Sequence, residues 1–172
     1  MAFTFDASPL SLTLNSYSSV QFADDYFIAK FGAESWASFA NSKKYALLVS
    51  ATNILDTFVY GGLRTNTAQP LQWPRQGIYS DEGIKFSPLS LPDNMIKATC
   101  EMAFWIWTEE DRMVSDITAQ QLEGFKAGPL DLKISKDAII MPPIVKSLIS
   151  SIGKGVLVSD GQLSKQTLNM QL

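Results

Sequence analysis

Apolar residues recur at helical spacing in two long stretches of the chain. From Ser42 to Tyr60, Leu47, Leu48, Ala51, Ile54, Leu55 and Phe58 form one stripe, while Ser50, Asn53, Asp56 and Thr57 fall on the opposite side. Gly61-Gly62 is a plausible stop. The second stretch follows Leu91, with Pro92 suited to a first helical position. There Met95, Ile96, Thr99, Cys100, Ala103, Ile106 and Trp107 share a face. Phe104 and Trp105 lie off it, so this helix is apolar on more than one side and is expected to be central in its own fold or sandwiched against another chain. Glu109-Glu110-Asp111 are expected to close it, although acidic groups at a helix C-terminus oppose the dipole.

Shorter elements fill the rest. Ser19 can cap a helix running through Ala23, Tyr26, Phe27 and Ala29 to about Lys30, with Gly32 beyond its end. Residues 33–40, with Trp36 and Phe39, add a short turn. Residues 128–134 alternate apolar and polar after Gly128-Pro129 and predict a strand. Pro142-Pro143 opens a short helix over 144–152, and Gly153 and Gly155 stop it. Residues 1–16 place Phe3 and Phe5, then Leu10, Leu12 and Leu14, at every second position among polar residues, the pattern of a strand or of an arm lying on a neighbour. The fold class expected is therefore mainly α: a small helical bundle with a long loop (63–91) and a minor β element. An extended N-terminal arm (1–16) precedes a helical domain (17–152), and a polar C-terminal tail (153–172) follows it.

Composition narrows the function classes. Hydrophobic residues make up 46% of the 172, which argues against disorder. The charged fraction is only 18%, against a usual value of about 25%, and such a surface suits contact with protein neighbours. A net charge of −3 gives no global attraction to a phosphate backbone. The N-terminus lacks the basic start of a signal peptide, and no apolar run approaches the roughly 18 residues of a membrane span. The chain is expected to work in a cytoplasm, or in a particle assembled there, without a membrane partner.

The chain has no histidine and one cysteine, which removes the commonest general base and the usual zinc sites. No enzyme activity, cofactor or metal is expected. Asp24 and Asp25 are adjacent on a helix and diverge by about 100°, so they cannot easily share a ligand. Cys100 reads as a buried small hydrophobe. Gly153-Lys154-Gly155 lacks the frame of a phosphate loop.

The most distinctive string is Leu71-Gln72-Trp73-Pro74-Arg75-Gln76-Gly77. Pro74 restricts Trp73 to an extended backbone, Trp73 brings a large flat side chain, and Arg75 a planar, permanent donor. Three roles fit these residues: pinning the long loop to the core with Arg75 bonded to loop carbonyls, an inter-subunit contact, or stacking on a nucleic-acid base with Arg75 on phosphate.

Several strings in order carry a resemblance. They are Asn15-Ser16-Tyr17 with Ser19 and Ala23-Asp24-Asp25-Tyr26-Phe27; Ala51-Thr52 with Leu55-Asp56; Leu71 to Arg75 with Gly77; Leu91-Pro92 with Ile96 to Glu101 and Ala103; then Gly128-Pro129-Leu130 and Pro142 to Val145. Over residues 15–150 the chain resembles a bacteriophage family labelled DnaT-like single-stranded-DNA-binding protein, and is identified as similar to phage head–tail adaptors, also called connector or head-completion proteins.

The adaptor likeness implies a structural ring subunit of a phage neck, typically twelve-fold, built in the host cytoplasm and placed at the head–tail junction of the virion. Its partners would be copies of itself, the portal protein and the next neck or tail protein, with DNA passing through the channel without specific binding. Trp73, Pro74, Arg75, Phe104 and Trp105 would anchor partner or loop. A tail carrying Ser159, Leu163, Leu168 and Leu172 would bind the portal, both chain ends becoming ordered only in the assembly. The alternative, implied by the family label and by the loop aromatics Trp73, Tyr79 and Phe86, is a single-stranded-DNA-binding replication accessory protein.

Overall fold

A computed structural model of the chain describes residues 3–80, 82–123 and 141–152, with side chains described in the long helix as far as Thr108. The strand expected at 128–134 and the tail at 153–172 lie outside the described residues.

The first helix, α1 (Val20–Ile28), starts where Ser19 accepts the Phe22 N–H on its hydroxyl at 3.1 Å. Ala23 and Phe27 point into the core. A 3-10 turn, Glu34–Ser38, then buries Trp36. Helix α2 (Asn41–Leu55) buries Leu47, Leu48, Ala51 and Leu55 of the expected stripe and Thr52 beside it, while Ile54 and Phe58 are half-buried. It stops five residues before Tyr60, because Tyr60 folds back and donates its hydroxyl to the Leu55 carbonyl at 2.7 Å. That bond satisfies one of the free carbonyls at the helix end.

Helix α3 (Asp93–Glu123) is longer than the acidic run Glu109-Glu110-Asp111 led us to expect. No glycine or proline interrupts 93–123, so the helix continues past the unfavourable charges. It packs on α2 and on α4 (Pro143–Ser150), and more lightly on α1. Met95, Ala98, Cys100, Met102 and Ala103 are buried, in keeping with a central position. The Asn94 side chain donates to the Ser151 hydroxyl at 2.6 Å and ties the two ends together. The protein is thus mainly helical, with one described two-stranded antiparallel sheet, β1 (Leu63–Arg64) against β2 (Arg75–Gln76).

The N-terminal segment differs from the extended strand or arm expected. Residues 3–16 close on themselves around Asp6. Its carboxylate accepts from the Ser8 N–H at 2.9 Å and the Ser11 and Thr13 hydroxyls at 2.5 and 2.6 Å. Asn15 bridges back to the Asp6 N–H and the Thr4 carbonyl. Phe5 stacks on Tyr45 of α2 at 4.5 Å, and Leu14 is buried, while Leu10 and Leu12 stay exposed. Small hydroxyl residues offer the backbone a turn in place of a ladder, and here they take it.

Candidate functional site

Three of the family-like strings, around Tyr17, Asp56 and Trp73, meet in one buried node. Tyr17 donates its hydroxyl to Asp56 and accepts the Trp73 backbone N–H at 3.3 Å. Asp56 also takes the Gln72 N–H at 2.6 Å, and the Tyr17 N–H reaches the Thr52 hydroxyl at 3.0 Å. Burial, and then the Asp56 carboxylate, push the Tyr17 phenol well above its ordinary pKa. Trp73 is 1% exposed and meets Tyr60 edge-on at 5.5 Å. The Trp73–Pro74 peptide is cis. The Pro74 carbonyl accepts from Thr65 N at 3.2 Å and Gln69 Nε2 at 3.1 Å.

Arg75 is 7% exposed and spends itself on the loop. Nε donates to Gly61 O at 2.6 Å, Nη1 to Gln72 O and Oε1 at 3.1 and 2.9 Å, and Nη2 to Tyr60 O and Gly62 O at 3.1 and 2.9 Å. A guanidinium has five N–H donors, and five bonds use them all. No donor is left for a phosphate, and Trp73 has no face to offer a base. Gly62 sits beside this cradle at φ +66°, where a Cβ would run into the Gln76 carbonyl and the Ile78 side chain. Among the described buried polar side-chain atoms, only Trp73 Nε1 lacks a partner.

A different corner collects cations and rings. It is built from the end of α1, the 3-10 turn, the start of α2 and the middle of α3. Three lysines stand over three aromatic rings: Lys30 over Phe104 at 4.7 Å, Lys43 over Phe39 at 4.4 Å, and Lys44 over Trp36 at 5.7 Å. The rings continue into one another, with Phe27–Trp36 at 4.4 Å, Phe39–Trp107 at 5.0 Å and Phe104–Trp107 at 5.4 Å. Phe104 and Trp105, singled out in the sequence, are both half-buried against the core.

Two of the lysines are neutralised. Lys30 pairs with Glu101 at 2.8 Å, and Tyr26 also donates to that carboxylate. Lys44 pairs with Asp24 at 2.8 Å, where the Trp36 indole N–H also lands at 2.7 Å. Lys43 is exposed and has no carboxylate partner among the described residues. Between these elements opens a pocket of about 480 Å³, lined by Asp24, Phe27, Ile28, Phe31, Trp36 and Lys44 among others. At its rim Phe31 is 97% exposed and Ile28 82%.

Sequence reasoning missed this corner. The signal was there: between residues 30 and 45 the chain alternates Lys30, Phe31, Trp36, Phe39, Lys43, Lys44 and Tyr45. The loop aromatics that suggested DNA fare differently. Tyr79 is 51% exposed on a hairpin closed by its pairing with Lys85, while Phe86 is half-buried. Glu82 lies three residues before Lys85 in the sequence, so the two charges offset one another.

Cys100 is buried and lies 3.4 Å from the Ser18 hydroxyl, and burial raises its thiol to about 12. Among the described residues no cluster of three or more potential ligands could hold a metal. No described helix is long and apolar enough to cross a membrane. Ser159, Leu163, Leu168 and Leu172 lie outside the described residues.

These features define a small helical protein with one rigid node and one open corner of rings and lysines. A family model described as "Putative DnaT-like ssDNA binding protein" matches residues 1–163, and the chain belongs to that family. No curated protein and no solved structure matches the chain. The match corrects the identification with phage head–tail adaptors, because the family found is the DnaT-like one. Of the strings that carried the likeness, Tyr17, Thr52, Asp56 and residues 71–75 build the folding node, while Asp24, Phe27 and Glu101 belong to the corner. The neck ring, its portal and tail partners and a place in the virion were inferred from the adaptor likeness and draw no support from the match.

Proposed function

We propose that this chain binds single-stranded DNA without catalysis, at the corner formed by Phe31, Lys43 and the adjoining pocket. The observation that carries the reading is the family match over residues 1–163. The geometry supports this location over the Trp-Pro-Arg string, whose guanidinium donors are all used internally and whose indole ring is buried. Exposed rings beside cations are the usual means of holding a single strand, since every base has a face to stack. Action by binding alone accords with the absence of histidine and with Asp24 and Glu101 both being held in ion pairs.

The charge arithmetic sets the expected mode. With Lys30 and Lys44 offset by carboxylates, Lys43 is the corner's one unpaired lysine among the described residues. Stacking then carries most of the affinity, and the dependence on salt is shallow, with a log–log slope of about −0.7 for one phosphate on a single strand. Fluorescence anisotropy with labelled oligo(dT) across a salt series tests this. Phe31→Ala should weaken binding by about 1–3 kcal/mol. Lys43→Gln should flatten the salt slope, and Tyr79→Ala should change neither. Full affinity in both corner variants would remove the site from this corner, and absence of binding by the unaltered protein at low salt would end the DNA reading.

A further inference from the structure

The pocket behind Phe31 contains a polar pair whose bonding is incomplete. Asp24 Oδ1 accepts from both Trp36 Nε1 and Lys44 Nζ, at 2.7 and 2.8 Å. Asp24 Oδ2 has no hydrogen-bond partner among the described residues. The Lys44 ammonium has three N–H donors and uses one on Asp24, yet its side chain is only 7% exposed. The pocket therefore offers an acceptor and a donor side by side, with Phe27 and Trp36 as apolar walls.

That pairing selects the chemistry of an occupant. A phosphate would set its charge against Asp24, and an ammonium would be repelled by Lys44. A flat neutral group with a donor next to an acceptor satisfies both, and the aromatic walls suit a ring. The volume, about 480 Å³, falls in the usual range for small-ligand sites. The Watson–Crick edge of a nucleobase has this arrangement; in thymine, the N3–H lies beside the O4 carbonyl.

We infer that the pocket seats one unpaired nucleobase by its Watson–Crick edge, with the base N–H donating to Asp24 Oδ2 and the base carbonyl accepting from Lys44. This rests on the DNA-binding reading above and deepens it. In a duplex that edge is already occupied, so the pocket itself discriminates single strands from double strands. Adenine and cytosine also place a donor next to an acceptor, so little sequence preference follows.

The test changes the ligand and leaves the protein intact. Oligo(dT) and an oligomer of N3-methylthymidine have the same charge and nearly the same ring, but the second lacks the N3–H. The methylated oligomer should bind at least about tenfold more weakly, the loss of a hydrogen bond to a charged group. In Asp24→Asn the difference between the two oligomers should shrink, with thermal melting checking that the fold survives. Equal binding of the two oligomers by the unaltered protein overturns the inference and leaves the DNA reading standing. Binding of neither overturns the DNA reading and this inference with it. Displacement of the oligomer by N-acetylglutamine amide as effectively as by thymidine would mark a general amide site and also overturn it.

Discussion

The Tyr17–Asp56–Arg75 node and the lysine–aromatic corner use similar residue types to opposite ends. In the node a phenol, a carboxylate and a guanidinium spend nearly all their hydrogen-bonding capacity on one another and on the backbone. In the corner Lys43 has no carboxylate partner among the described residues, Asp24 Oδ2 has no hydrogen-bond partner there, and Phe31 stands almost fully in solvent. The node holds the most recognisable string in the sequence, yet it has nothing left with which to bind a partner. The corner draws its acids from less distinctive strings, and part of its capacity is unspent. Distinctiveness in sequence and availability for binding thus point to different places in this molecule.

Substitutions at the two regions should separate cleanly. The largest effect is expected under the node. Leu55 is fully buried, so Leu55→Ala should lower stability by about 2–5 kcal/mol in denaturant unfolding, while the folded fraction keeps the proposed affinity for DNA. An unchanged midpoint would mean that the α2 stripe is not core.

Arg75→Lys should cost about 2–3 kcal/mol, because three ammonium donors cannot reproduce a five-donor fork over carbonyls from both ends of the loop. Loss of DNA binding in a stable Arg75→Lys protein would erase the contrast between the regions. Phe31→Ala, in turn, should leave stability within about 0.5 kcal/mol, since its ring is exposed.

The smallest effect belongs to a third place, the N-terminal turn. The Ser11 hydroxyl foremost, then the Thr13 hydroxyl and the Ser8 N–H, lower Asp6 from 3.8 to about 2. A carboxylate whose pKa is depressed on folding stabilises fully above its unfolded value and loses that contribution as pH falls toward the folded one. Amide exchange of residues 8–15 should therefore rise as pH drops from about 4 to 2, relative to the intrinsic rate, while the node stays protected. Protection that held throughout would show that Asp6 does not organise the turn.

Much of the helical fold was legible in the sequence because it rests on local signals. Ser19 caps α1 as its hydroxyl predicts, and the apolar stripe of α2 is the buried one. What could not be read depends on partners distant in sequence. The end of α2 is set by a tyrosine five residues on, and a two-residue ladder between 63–64 and 75–76 is too short to show alternation. The turn at 3–16 hides in even apolar spacing, since hydroxyls around Asp6 decide its shape. The loop-carbonyl role of Arg75 is the reading its string favours, and Arg75 does bond the carbonyls of residues 60, 61, 62 and 72, but which carbonyls it meets could not be read. The corner was legible only as a local run of lysines and rings between 30 and 45; its other half comes from afar, since Lys30 meets Phe104 across 74 residues and Phe39 meets Trp107 across 68.

The guanidinium of Arg75 has a further consequence for how the long loop opens. One side chain grips the carbonyls of residues 60, 61 and 62 at one end and of residue 72 near the other. The segment between cannot fray from a tip inward, because releasing either end strips bonds from both. Regions stitched in this way open as a single cooperative unit. Although Arg64 is exposed and offers trypsin a recognisable side chain, cleavage after it requires the backbone to leave the β1–β2 ladder and the Arg75 clasp together. Nicking at Arg64 should follow the population of that open unit, so the rate of a single proteolytic cut reports the free energy of the whole 60–76 segment.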